Sequence, residues 1–276
     1  VNAPQAFVDL HLHSNRSDGS DPPVEVARRA AALGIAAIAL TDHDTVAGNT
    51  ACRVEAERLG VEFLDGVEIS AGIRDKEFHI LGLGVDPGSP ELIATLRMVE
   101  ENRVKRAHLI MKKLQALDIP IDPERVFARG EGASGRMHIA QELHEMGYAD
   151  TVQAAFDTYI GGGKKAFIPK KTLSIEAAIT GIHNAGGLAF LAHPGIGNTK
   201  QWLPKLMAFA FDGVEAFHSK HTPGQVDEFI TLAQENGLLV TGGSDCHGTA
   251  GAGPEMGKVR MPYRYYEEIV ARLGGD

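Results

Sequence analysis

The stretch Phe7-Val8-Asp9-Leu10-His11-Leu12-His13 alternates apolar and polar residues, putting Val8, Leu10 and Leu12 on one face of a strand and Asp9, His11 and His13 on the other. Two imidazoles at i and i+2 can reach one metal ion, but a His-X-His pair acquires meaning only from its surroundings. Similar apolar runs recur at Ile35 to His43, Val61 to Ser70, Phe78 to Val85, Leu188 to His193, Phe211 to His218 and Leu238 to Asp245. Helical stretches alternate with them, so the expected fold is α/β, with seven strands in βα units around a parallel sheet. Between the first two strands Asp21 is the expected N-cap, Pro22 and Pro23 open the helix, and Gly34 closes it.

The alternation breaks from Pro87 to about Lys171. A long helix opens at Ser89-Pro90-Glu91, carries Leu92, Leu96, Val99, Val104, Ile110 and Leu114, and runs to about Leu117. Shorter helices are expected near Arg136 to Met146 and Thr151 to Tyr159, before the Gly161-Gly162-Gly163 loop. This segment far exceeds a βα connection and has its own apolar periodicity. The expected division is therefore a barrel in two parts, 1–87 and 172–276, with an inserted, mainly helical cap at 88–171.

Composition narrows the function classes. The 276 residues are 43% hydrophobic and 23% charged, enough for a packed core. A net charge of −9 argues against coating or stable binding of duplex DNA, and leaves room for a small anion in a local positive pocket. No apolar run approaches the ~18 residues of a membrane span, and Val1-Asn2-Ala3-Pro4 does not resemble a signal peptide, so a cytoplasmic protein is expected. Two cysteines, Cys52 and Cys246, form neither a disulfide framework nor a zinc-finger pattern.

Histidine is abundant, with 12 residues, and many lie at strand ends: Thr41-Asp42-His43-Asp44, His79, Ala192-His193-Pro194 and Gly243-Ser244-Asp245-Cys246-His247, joined by the carboxylate of Gly66-Val67-Glu68. In a parallel barrel the strand C-termini converge on one mouth. With Asp18 from the first loop, nine metal ligands are expected there: His11, His13, Asp18, His43, Glu68, His79, His193, Asp245 and His247. Nine are too many for one ion and suit three, with Glu68 as the bridge. Without ions, six histidines and three carboxylates at one mouth would leave many polar groups seeking partners.

The succession His-X-His, Ser-Asp-Gly, Thr-Asp-His-Asp, Gly-Val-Glu, His, Ala-His-Pro-Gly and Gly-Ser-Asp-X-His resembles the polymerase and histidinol phosphatase (PHP) superfamily. It is most similar to the bacterial branch that removes the 3′-phosphate of nucleoside 3′,5′-bisphosphates and includes a 5′-to-3′ exoribonuclease. The resemblance implies a distorted (β/α)7 barrel with a trinuclear site. It would place His11, His13, Glu68 and Asp245 on one ion, Glu68, His79 and His193 on a second, and Asp18, His43 and His247 on a third. Many members have histidine where Asp18 stands; the branch resembled here has this Asp.

Such a site would hold two to three divalent ions, manganese, iron or zinc, and hydrolyse a phosphoester by metal-activated hydroxide. Catalytic roles are expected of Asp42, Glu68, Asp245 and His247, with Asp42 handling a proton or supporting His43, and Asp9 orienting an imidazole ligand. Expected substrate contacts are Arg136 and His138 in Ser134-Gly135-Arg136-Met137-His138, Lys164 after the three glycines, Arg16, His218 and His221. Relatives often continue Ala-His-Pro-Gly with Arg, whereas Ile196 follows here. His108, His144 and His183 read as ordinary helix histidines. The expected partner is a small anionic nucleotide or a short RNA 5′ end. Alternatives are a histidinol-phosphate phosphatase or a non-catalytic metal-binding PHP module.

Overall fold

The structure, a computed structural model, describes residues 6–74, 76–128, 135–248 and 255–274. The seven expected runs all form strands: β1 (Phe7–Leu12), β2 (Ala37–Leu40), β3 (Glu62–Ile73), β4 (Lys76–Leu83), β6 (Leu188–Leu191), β7 (Gly213–His218) and β8 (Leu239–Gly243). Two-residue strands β5 (Leu173–Ser174) and β9 (Met261–Pro262) add to them. The sheet order is β8-β7-β6-β4-β3-β2-β1-β9, with β5 on β3. Beyond β8 the chain returns to β1, where Asp245 N–H donates to the His11 carbonyl (2.9 Å) and His13 N–H to that of Cys246 (3.0 Å). A nearly closed α/β barrel results.

One expectation fails, because the sheet is not all parallel. β4 runs antiparallel to both β3 and β6. Ile73 pairs with Lys76, which leaves two residues between strands, and a parallel crossover needs a dozen or more. Arg74, at φ 56°, makes the reversal. The reversed strand therefore starts at the mouth where β1, β2 and β3 finish, which is why His79 sits near the beginning of its strand.

Leu12, Ile38 and Leu40 pack on Val26, Ala27 and Ala30 of α1 (Pro23–Ala32) and on Cys52 and Ala56 of α2 (Asn49–Arg58). Each fully buried aliphatic side chain contributes about 1.5–3 kcal/mol. This apolar layer leaves the other face of β1 to look into the barrel. Asp21 does not cap α1, whose N-cap is Pro22; its carboxylate instead accepts from Arg29 Nη1 at 2.5 Å. Gly34, at φ 69°, ends that helix as expected.

The chain divides into two compact units, Val1–Leu96 with Leu173–Asp276, and Arg97–Thr172. The second is built from the C-terminal part of α3 (Pro90–Gln115) and helices Pro123–Phe127, Arg136–Glu145 and Val152–Ala155, the last continuing as a π turn over Phe156–Ile160. Its core includes Ile110, Leu114, Ile121, Val126, Ile139 and Leu143. Among the described residues no helix is long and apolar enough to cross a membrane.

Gly243 shows how tightly the barrel closes. A Cβ there would fall on the backbone nitrogen of His11 and lie 2.7 Å from Asp9 Oδ1. Gly243→Ala is expected to cost about 1–3 kcal/mol, the usual scale of overpacking, and to displace His11. Thermal unfolding with metal titration checks both effects.

Candidate metal centre

Glu68 lies at the centre of the mouth, fully buried. Its Oε2 is 3.2 Å from His11 Nε2, His13 Nε2 and His43 Nδ1, while Oε1 is 2.8 Å from His79 Nδ1 and 3.0 Å from His193 Nε2. Five imidazoles from four strand ends thus meet one carboxylate. Asp245 Oδ1 stands 3.2 Å from His13 Nε2 and 3.5 Å from His11 Nε2. At the rim, Asp18 Oδ1 is 3.3 Å from His247 Nε2, and Oδ2 is 3.8 Å from His43 Nε2.

The fold therefore brings all nine expected ligands together. His11, His13, Glu68 and Asp245 present donor atoms within 4.8 Å of one another, as do His13, Asp18, His43 and His247, and His43, Glu68 and His79. The first group coincides with the first expected set, and the next adds His13 to the third. His79 and His193 meet at Glu68 Oε1 rather than as a group with that spacing.

This donor set fits divalent ions on two grounds. Mixed imidazole and carboxylate ligation suits transition ions and zinc. Among the described residues, both ring nitrogens of His13 and the Nδ1 atoms of His43 and His79 are also buried without a hydrogen bond of ordinary geometry, close as three of these four nitrogens lie to the Glu68 carboxylate, although such groups ordinarily find a partner. His193 and Asp245 further adopt left-handed backbone, at φ 28° and 58°. For non-glycine residues this strain, about 1–3 kcal/mol each, persists where the surroundings impose it and concentrates at functional sites.

Charge is strongly coupled here. Burial would lower His13, but the adjoining carboxylates of Asp245 and Glu68 outweigh it and lift its pKa to about 9. Burial would likewise lower His79, but the Glu68 charge overcomes it and lifts the pKa to about 10. His43 goes the other way, to about 3, through burial and the neighbouring positive rings. Glu68 is held well below the carboxylate range, because the charges of His11 and His79 overcome its burial. Without metal, His13 and His79 thus carry protons at neutral pH, and an incoming ion must displace them. Metal affinity is expected to rise with pH from 6 toward 9, with proton release on binding; calorimetry in buffers of different ionisation enthalpy measures it.

Glu215, on β7, is the main residue that sequence reasoning missed. It is fully buried, its Oε1 accepts from His11 Nδ1 at 2.9 Å, and its Oε2 accepts the His193 backbone N–H at 2.7 Å. The signal was a carboxylate in the strand Gly-Val-Glu-Ala-Phe-His, whose neighbours are apolar. The orienting job expected of Asp9 belongs to Glu215. Asp9 Oδ1 instead accepts from Ser244 N–H at 2.8 Å, and burial raises its pKa to about 6.

Other expected residues take different jobs. Asp42 accepts from Ser14 N–H (2.7 Å), Ser14 Oγ–H (2.6 Å) and Ser17 Oγ–H (2.7 Å), which ties it to the loop bearing Asp18. His221 donates from Nδ1 to the Ala216 carbonyl and accepts from Gly195 N–H at Nε2, which commits both nitrogens to backbone. His218 is buried, with Nε2 3.4 Å from Asp245 Oδ2. Arg16 is exposed on the Asp18 loop. Arg136, His138 and Lys164 belong to the 97–172 unit, where the Arg136 guanidinium lies over the Phe156 ring; Ser134 falls outside the described residues.

The sequence matches the PHP domain model over residues 9–118. It is 34% identical to the 3′,5′-nucleoside bisphosphate phosphatase of Chromobacterium violaceum, over 91% of either chain. The chain belongs to the PHP family. Another PHP relative, the 5′-3′ exoribonuclease Rnm of Escherichia coli, is 36% identical over 87% of this chain and 84% of its own. The phosphoribosyl 1,2-cyclic phosphate 1,2-diphosphodiesterase of Eggerthella lenta is 37% identical over 92% and 98%. Among solved structures, a Bifidobacterium adolescentis chain described as a metal-dependent phosphoesterase superposes with TM-score 0.81 at 30% identity, covering 98% of this chain and 97% of that one. This PHP protein is a metal-dependent phosphoester hydrolase.

Proposed function

We propose that this PHP enzyme removes the 3′-phosphate of nucleoside 3′,5′-bisphosphates and, by cleaving the same bond, trims short RNA from its 5′ end. The carrying observation is Glu68, whose two oxygens face separate sets of ring nitrogens while Asp18 and His247 gather a further set at the rim. Similarity to a bisphosphate phosphatase over nearly the whole chain supports the substrate class.

Two to three ions, manganese, iron or zinc, would be held by the nine ligands, with Glu68 bridging. Bound there, they lower the pKa of water and neutralise phosphoryl oxygens. A water oxygen adds to the 3′-phosphorus as the P–O3′ bond breaks, and O3′ gains a proton. The products are a 5′-nucleotide and inorganic phosphate, or a 5′-nucleotide and a strand one residue shorter that keeps the phosphate. Glu215 holds His11 and the His193 backbone, and Asp42 holds the Asp18 loop. Arg136 is assigned the non-reacting 5′-phosphate, together with His138 and Lys164 of the cap spanning 88–171, because a guanidinium binds phosphate bidentately.

Phosphate release from adenosine 3′,5′-bisphosphate, 3′-AMP, 5′-AMP, histidinol phosphate, a ribose cyclic phosphodiester and a short 5′-phosphorylated RNA, with manganese and with chelator, tests the reading. Chelator-sensitive conversion of the bisphosphate to 5′-AMP is expected. Turnover of histidinol phosphate with the bisphosphate intact overturns it. Arg136→Ala should raise KM about 10- to 100-fold for the bisphosphate, the scale of one lost charge-assisted contact, and leave KM for 3′-AMP nearly unchanged.

A further inference from the structure

Beside the metal centre a cavity of about 610 Å³ opens between the loop after β7 and residues 255–260. His218 forms part of its wall and also approaches Asp245 Oδ2 at 3.4 Å, so the cavity adjoins the metal centre directly. Its lining includes Ser219, Lys220, Lys258 and Arg260. Among the described residues neither Lys220 nor Arg260 has a carboxylate partner; the Arg260 guanidinium lies 4.6 Å from the Phe7 ring centre. Lys258 meets only Glu255, at 3.2 Å, with both side chains exposed to solvent. Ser219 Oγ is buried without a hydrogen-bond partner. Three cations thus face one carboxylate in a protein of net charge −9.

Such a pocket recognises phosphate through charge and hydrogen bonds without reading bases. We propose that, when the substrate is RNA, it seats the phosphodiester immediately downstream of the scissile one. The inference rests on the function proposed above and extends it. Cleavage of P–O3′ leaves the reacting phosphate on the downstream nucleotide, so the remaining strand must continue beside the ions. A mononucleotide bisphosphate places nothing in this pocket. Lys220, Lys258 and Arg260 therefore act on RNA and not on the bisphosphate.

The test compares wild type with Lys220→Ala/Lys258→Ala and with Arg260→Ala. Binding of a 3′-labelled, 5′-phosphorylated six-nucleotide RNA is followed by anisotropy in EDTA from 50 to 200 mM salt, and kcat/KM is measured with manganese on that RNA and on adenosine 3′,5′-bisphosphate. The double variant should lose about tenfold in RNA affinity and in RNA kcat/KM, and the log–log salt slope should shrink by about 0.7 per contact removed. Its kcat/KM for the bisphosphate should stay within about twofold of wild type. Parallel losses on both substrates, unchanged RNA binding, or no RNA binding by wild type at 50 mM salt overturns the proposal. If wild type hydrolyses neither substrate, the functional reading fails, and the EDTA binding arm still decides the pocket.

Discussion

Glu68→Ala is expected to lower kcat by about 10³-fold or more, the scale of removing a group that acts directly on the reacting charges. Five imidazole nitrogens lie within 3.2 Å of this carboxylate, split three and two between its oxygens. Its loss removes the negative charge that would share ions between the inner sets, and the methyl group left behind offers no donor. Bound metal, counted by elemental analysis, should fall together with kcat. Glu68→Gln keeps the volume but not the charge, so it should fail similarly; a metal content and kcat equal to wild type would refute the bridging role.

The second large effect is expected at Glu215, which touches no substrate. Its Oε1 accepts the Nδ1 proton of His11, so Nε2, which faces Glu68 and Asp245, is the nitrogen left to bind an ion. Its other oxygen holds the strained backbone of His193. One buried carboxylate thus orients two proposed ligands from different strands. In Glu215→Gln the amide can accept only one of these two hydrogen bonds, because its NH2 end is a donor. Loss of such an orienting partner typically costs 10- to 100-fold in metal affinity. Competition against a chelator should show that loss, and excess manganese should restore most of kcat. Unchanged affinity, or a lost kcat that metal does not rescue, would reject the positioning role.

Much of the site was legible because strand periodicity is local. Alternation in β1 assigns His11 and His13 to one face whatever surrounds them. Polar residues closing apolar runs likewise marked His43, Glu68, His193 and Asp245. His79 was picked out on an incorrect premise: it reaches the mouth because β4 is reversed. The seven residues between the runs ending at Ser70 and starting at Phe78 already exclude a crossover, so that signal was present but unused.

The roles of Asp9, Asp42, His221 and Glu215 were not legible, for a physical reason. A buried polar atom takes whichever donor or acceptor the fold delivers, and these partners come from far along the chain, as Ser244 does for Asp9 and His11 for Glu215. Asp21 illustrates the same competition, giving up its cap for Arg29.

Sequence alone determined the barrel strands, the helical interruption and the nine side chains that gather at the mouth, since periodicity and residue chemistry depend on near neighbours. Tertiary structure decided the direction of β4, which nitrogen each imidazole presents, and that Glu215 in place of Asp9 supports His11. Those outcomes depend on hydrogen bonds and charges brought within about 3 Å of one another by strand pairing, a distance over which a buried polar group must find its partner.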